Sequence, residues 1–189
     1  MRHTSCFTVI AVILMSAFLV TGFSQPALAD TAAQIDRDVN NALKKLYAGS
    51  PAARELSKIA KGILVFPSII KGGFIIAGQY GEGALRIDGK TTGYYNTVAA
   101  SYGFQAGAQS FGYVLFFTDQ EALNYLYNSD GWEVGVGPSV VVVDQGFAKT
   151  LSSTTAKEAV YAFFFSQKGL MAGMGIQGTK ITKITPGKK

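Results

Sequence analysis

The sequence predicts an α+β domain: two N-terminal helices packed on a curved, mainly antiparallel glycine-rich sheet or partly closed barrel, with one helix inserted among the strands. Three observations carry that prediction. Apolar residues recur at helical spacing up to about residue 60, the period shifts towards two from Ile63 onward, and glycine recurs inside the strand-like runs. Glycine is 22 of 189 residues, well above the usual ~7%. Inside strands such glycines mean bends and close backbone approaches.

The domain is expected to begin after residue 29. Arg2 supplies a positive start, residues 6–20 form an uncharged apolar or small-residue run, and Ala27-Leu28-Ala29 supplies an A-x-A pattern. That is the layout of a secretory signal peptide, with cleavage expected after Ala29; the run is short for a membrane span of ~20 residues. The only cysteine, Cys6, and the only histidine, His3, would leave with it. A chain without cysteine has no disulfides and must rely on an ordinary core. Cys6 precedes the apolar run instead of ending it, which argues against a lipoprotein anchor. The expected location is periplasmic or secreted.

Residues 30–62 read as a helical segment. Ile35, Val39, Ala42, Leu43, Leu46 and Tyr47 share one face, with Asp36, Arg37, Asn40, Asn41, Lys44 and Lys45 opposite. Gly49 stops this helix, and Ser50-Pro51 opens a second, with Leu56, Ile59 and Ala60 as its apolar face and Gly62 as its end.

A β-rich core is expected over residues 63–185. Apolar runs 63–66 and 74–77 flank a Pro67-Ser68 break and a Lys71-Gly72-Gly73 turn. Residues 83–87 and 91–100 read as strands joined by an Asp88-Gly89 hairpin turn. Spaced glycines Gly103, Gly107 and Gly112 lead to an apolar strand at 113–117. Thr118-Asp119-Gln120-Glu121 has capping-box form and opens the inserted helix through Ala122, Leu123, Leu126 and Tyr127; Ser129-Asp130-Gly131 ends it. Trp132, Val134 and Val136 alternate onto one side, and Pro138 bends the chain before the β-branched run 140–143. Residues 152–155 are a polar loop, 160–165 are apolar, and Gln167-Lys168-Gly169 turns into the glycine-spaced run 170–184. Residues 186–189 are expected to be a disordered tail. Too few clean ten-residue alternating strands, a capped helix in mid-chain and a basic tail speak against a transmembrane β-barrel.

Without His or Cys there is no Ser-His-Asp or Cys-His nucleophile system and no zinc site on His or thiolate ligands. No metal or cofactor is expected. Glu82, Glu133 and Asp144 remain as carboxylates for glycosidic hydrolysis, so a hydrolase of an envelope glycan stands as an alternative. The same acids are better read as bonding backbone amides at bends or pairing with lysines, since the sequence brings no two of them to a working separation. The segment 83–91 ends like a phosphate-binding loop, but five residues separate its glycines where the motif has four, and it spans a hairpin. Gly173-Met174-Gly175-Ile176-Gln177-Gly178 satisfies G-x-G-x-x-G but is followed by a strand-like run and no ribose-binding acid. Nucleic acid is not expected: the basic residues are scattered, and Tyr94, Tyr95, Tyr102 and Tyr113 do not alternate with Lys or Arg. Lys71, Lys90 and Lys168 sit beside predicted turns, where exposed amides and a cation suit phosphate head groups, although hairpins commonly carry solvated lysines there.

Taken in order, residues 60–74 (AKGILVFPSIIKGGF), 81–85 (GEGAL), 93–96 (GYYN), 107–110 (GAQS), 131–137 (GWEVGVG) and 167–173 (QKGLMAG) resemble the SYLF domain family, in its exported bacterial branch. The resemblance covers about residues 42–184. It implies binding and not catalysis: eukaryotic members bind lipids, notably phosphoinositides, and those of yeast actin patches bind and bundle actin. Membrane binding there is associated with an amphipathic N-terminal helix and nearby basic residues. The comparable segment here is 32–61, with Lys44, Lys45, Arg54, Lys58 and Lys61. For an exported chain the resemblance implies an anionic phospholipid, a membrane surface or another acyl-bearing envelope molecule as partner, with Lys44, Lys45, Lys58, Lys61, Lys71, Lys90 and Lys168 as candidate head-group contacts. Protein partners are left open, with a scaffold whose sheet edge recruits them as a further alternative.

Overall fold

The computed structural model describes residues 30–73, 76–102, 107–144, 146–152, 154–169, 176 and 178–187. The expected signal peptide, Phe74 of the family motif, Gly103, and most of the 170–178 glycine segment lie outside the described residues. Helix α1 spans Ala32–Gly49 and α2 spans Pro51–Ile59. Thr31 caps α1 by accepting from the Gln34 amide at 3.3 Å. Ser50 serves both helices: its amide donates to the Leu46 carbonyl at 2.8 Å, and its Oγ accepts from the Ala53 amide at 3.2 Å. The two helices therefore meet at one residue. Ile35, Val39, Ala42 and Leu46 form the buried stripe of α1, as the spacing predicts, and each large aliphatic contributes about 1.5–3 kcal/mol by its burial.

The strands are β1 (Gly62–Gly73), β2 (Ile76–Ile87), β3 (Lys90–Tyr102), β4 (Gly107–Phe117), β5 (Trp132–Glu133), β6 (Val140–Val142), β7 (Val160–Gly169) and β8 (Lys180–Ile184), with helix α3 (Gln120–Asn128) after β4 and a 3₁₀ turn, Phe147–Lys149, after β6. They form one sheet in the order β5-β8-β3-β2-β1-β4-β7-β6. Every pairing is antiparallel except β6 with β7. The sheet curls into a half-barrel. Phe117 of β4 meets Trp132 of β5 with ring centroids 5.8 Å apart, although four strands lie between them in the sheet order.

Side chains of β1 alternate between two cores. Leu64, Phe66 and Ile69 face the concave side, with Tyr113, Leu123 and Trp132. Val65 faces the convex side, where Val114, Phe116 and Phe163 pack under α1 and α2.

The structure corrects several local expectations. Pro67-Ser68 does not divide two strands; it is a bulge inside β1, where the register shifts against both β2 and β4. A proline in a central strand is tolerated at such a bulge because no ladder donor is needed there. Lys71, Gly72 and Gly73 are not a turn, since they pair with Gln79, Gly78 and Ala77 on one side and Gln109, Ala108 and Gly107 on the other. Lys168 likewise lies in β7, opposite Ser110. The cap of α3 is Asp119, whose carboxylate accepts from the Glu121 amide at 2.8 Å. Thr118 instead donates its hydroxyl to the Ala159 carbonyl at 3.2 Å. Val136 does not join Trp132 and Val134 in the core and is 56% exposed. Gly187, expected in a loose tail, bridges Thr31 and donates its amide to the Asp30 carbonyl at 3.1 Å.

Two glycines flank the bulge for steric reasons. A Cβ on Gly83 would lie 2.0 Å from the Val65 carbonyl oxygen, and one on Gly112 would lie 2.7 Å from that of Pro67. Gly83→Ala is therefore expected to cost about 2–3 kcal/mol, the range of overpacked cores. Gly78→Ala, in the same strand with nothing within 4 Å, should stay within about 0.5 kcal/mol. Urea midpoints of the two variants check the contrast.

Candidate functional site

The last turn of α1, the first turn of α2, the segment 143–151 and β7 enclose a groove of about 810 Å³. Its floor is apolar: Leu46, Val143, Leu151 and Phe163 are buried against the convex-side core, and Phe165 extends the floor along β7. Its rim carries four charges, Lys45 and Lys149 with Glu55 and Asp144. The volume and the apolar lining with a few charges suit an amphipathic ligand. The groove exists because Ser50 turns the chain sharply and β6 returns parallel to β7, which together leave the convex face of β7 incompletely covered.

A second cavity of about 380 Å³ adjoins it across Lys45 and is lined by Asp30, Asp38, Asn41, Ser68, Glu82 and Ser166 among others. Glu82 accepts the Asp30 amide at 3.1 Å and the Tyr80 hydroxyl at 2.5 Å. Burial first, and the adjoining carboxylate second, push the Tyr80 phenol up to about 12. The Asp30 carboxyl is raised by desolvation and then by the negative charges of Glu82 and Asp38. Glu133 is exposed at the sheet edge opposite Lys180, and Asp144 lies on the rim of the first groove. The three acids singled out for hydrolysis therefore stand at three different places and do not converge on one cavity.

The lysines are similarly dispersed. Lys44 and Lys45 are exposed on α1, and of the seven candidates only Lys45 lines the large groove. Lys58 pairs with Glu55 at 2.6 Å, a surface contact worth little in stability. Lys61 is exposed between α2 and β1, its amide donating to the Phe117 carbonyl at 2.7 Å. Lys71 is half-buried on the concave side of β1, Lys90 is exposed at the start of β3, and Lys168 is exposed near the end of β7. Lys149 is a groove cation that the sequence reading missed. It sits in an aperiodic stretch, and only the return of β6 beside β7 brings it opposite Lys45.

The helices that wall the groove are pinned to the sheet by Asp36, which the helical pattern places on the solvent face. Its carboxylate meets Arg86 of β2 at 3.3 Å and accepts from Thr91 at 2.7 Å and Tyr94 at 3.1 Å. Arg86 also donates to Asn40 Oδ1 at 3.0 Å. The Arg86 side chain is only 11% exposed, so loss of its partner strands a nearly buried cation. Asp36→Ala is expected to cost about 2–3 kcal/mol. Arg86→Leu added to it should recover part of that loss, as denaturation midpoints of the single and double variants will show.

Comparison with known proteins bears on the strands around this groove. Residues 98–185 match the family model of Ysc84, described as Las17-binding protein actin regulator. No curated protein matches the chain. The matched stretch begins in β3 and takes in β4, α3, the wall of the groove from 143 to 151, β7 and β8. The resemblance to the SYLF family is thus carried, over residues 98–185, by this Ysc84 domain match.

Proposed function

We infer that this chain is a non-catalytic lipid-binding protein of the bacterial cell envelope, taking an anionic phospholipid or a similar acyl-bearing ligand. The observation that carries this reading is the groove of about 810 Å³ with a buried aliphatic and aromatic floor and Lys45 and Lys149 on its rim. An acyl chain laid on that floor gains about 0.8 kcal/mol per buried methylene, and the rim lysines offer charge to a phosphate. Glu55 on the same rim is already paired with Lys58 at 2.6 Å, which leaves Lys45 and Lys149 as the rim cations for a head group.

The exported location rests on the A-x-A site and is supported by the surroundings of Asp30. Cleavage after Ala29 converts the Asp30 amide nitrogen into an α-ammonium. That nitrogen lies 3.1 Å from Glu82 Oε2, beside the carboxylates of Asp30 and Asp38. The Asp30 carboxyl is raised first by desolvation and then by repulsion from Glu82 and Asp38, and a positive charge at that atom offsets the repulsive part.

An adaptor role is the second reading, favoured by the family's description as Las17-binding. It needs a protein-binding surface and makes no use of the groove.

Native mass spectrometry of the protein purified from its own envelope should show a retained lipid. Ala148→Trp, which places an indole over the groove, should abolish retention while leaving circular dichroism unchanged. Lys45→Glu with Lys149→Glu should shift retention from anionic to zwitterionic lipid. A lipid-free wild type, or Ala148→Trp retaining lipid normally, would sink the groove reading.

For the processed chain starting at Asp30, Glu82→Gln or N-terminal acetylation should lower the melting temperature, and the difference should fade above about pH 8 as the α-amino group loses its proton. The unprocessed chain should respond less to Glu82→Gln, because a neutral amide gains less from the carboxylate.

A further inference from the structure

The helices cover only half of the convex face of the sheet. Beyond their reach the pairing registers place Ser110, Ile70, Tyr80 and Val98 side by side on β4, β1, β2 and β3. The same registers set Lys168 of β7 opposite Ser110 and Lys180 of β8 opposite Val98. A single cross-strand row thus runs lysine, serine, three large apolar side chains, lysine. All three apolar members are open to solvent: Ile70 at 67%, Tyr80 at 49% and Val98 at 43%. Ile76, four residues before Tyr80 on the same face of β2, adds a fourth at 66%. Buried residues of the same strands show that this exposure is local, since Val65, Ala84 and Val114 on that face lie under the helices. A clustered apolar patch of this kind marks a contact surface.

We propose that this uncovered convex face docks on an anionic lipid bilayer, with Ile70, Ile76, Tyr80 and Val98 entering the interface and Lys168 and Lys180 resting on the phosphates to either side. Three features select a bilayer over a second copy of the chain. The face is convex, and two convex faces touch over too little area for the roughly 800 Å² per partner of a stable complex. The apolar centre is flanked at both ends by cations, which complements an anionic surface and would set lysine against lysine in an antiparallel pair of copies. Tyr80 in the row presents an apolar body with a polar tip, the side-chain type enriched at head-group depth. Glu82 beside Tyr80 and Glu133 opposite Lys180 oppose the attraction, so the apolar contribution is needed as well as the charge.

The proposal rests on the lipid-binding reading and extends it. Phe165 and Ser166, at the mouth of the groove, and Lys168, at the end of the row, lie within four residues of one another on β7. A lipid lifted from the docked bilayer has a short apolar path into the groove.

The test is co-sedimentation of the protein, expressed from the full-length chain, with phosphatidylcholine vesicles and with vesicles containing about one third phosphatidylglycerol. Wild type should bind the anionic vesicles and release at high salt. Ile70→Thr with Val98→Thr keeps β-branched residues in the strands and should weaken vesicle binding about tenfold or more. Lys168→Glu with Lys180→Glu should remove the preference for anionic vesicles. Tyr80→Trp should add fluorescence that shifts to the blue with vesicles, against the buried Trp132. Wild-type affinity in both double variants, or fluorescence of the Tyr80→Trp variant unmoved by bound vesicles, overturns the docking face while leaving lipid retention in the groove intact. Concentration-dependent dimers broken by Ile70→Thr would assign the face to a second copy. Absence of both vesicle binding and a retained lipid in wild type overturns the function together with the face.

Discussion

The strands at the centre of the sheet are apolar on both faces, and most of the architecture follows from that constraint. Leu64, Phe66, Leu115 and Phe117 require one cover, while Val65, Val114 and Phe116 require another on the opposite side. Curling the sheet satisfies the first requirement: α3 and the distant β5 and β8 close over the concave side, and Phe117 reaches Trp132. The amphipathic pair α1 and α2 satisfies the second. The nine-residue α2 is short for independent stability, and tertiary burial with the Asp36–Arg86 contact holds the pair in place. The pair covers part of the convex face, and the uncovered parts are the groove and the exposed row.

Curvature itself depends on backbone contacts around Pro67. The bulge in β1 disturbs pairing on both sides at once, and the glycines of neighbouring strands admit a main-chain approach that any side chain would obstruct. A bulge increases local twist. Here it separates the half of β1 that carries the helices from the half that ends in the exposed Ile70.

A fold does not determine a function, and the functional reading rests on the site. The acids at Glu82, Glu133 and Asp144 occupy unrelated positions, and Glu82 is engaged by a backbone amide and a phenol. The groove offers apolar area and a few charges, which favours retaining a ligand over transforming one. Its mixed rim and the lysine-flanked row on the same side of the molecule suit one amphipathic class of ligand.

What the sequence determined by itself is local. The stripe of Ile35, Val39, Ala42 and Leu46, the Ser50-Pro51 junction, the Asp88-Gly89 hairpin and the inserted helix are set by spacing and turn chemistry within a few residues, and all are present in the structure. The family match over residues 98–185 was legible too, through the motifs at 107–110, 131–137 and 167–173; the motifs before residue 98 lie outside the matched stretch. Only tertiary structure decided the rest. Whether Pro67 breaks a strand or bulges it depends on neighbours that pair from both sides. Whether Asp36 faces water depends on Arg86, fifty residues away in the chain. Lys45 and Lys149 are far apart in the chain and line one groove only because β6 lies parallel to β7. The row from Lys168 to Lys180 is a product of register across six strands, and register is written in no single segment.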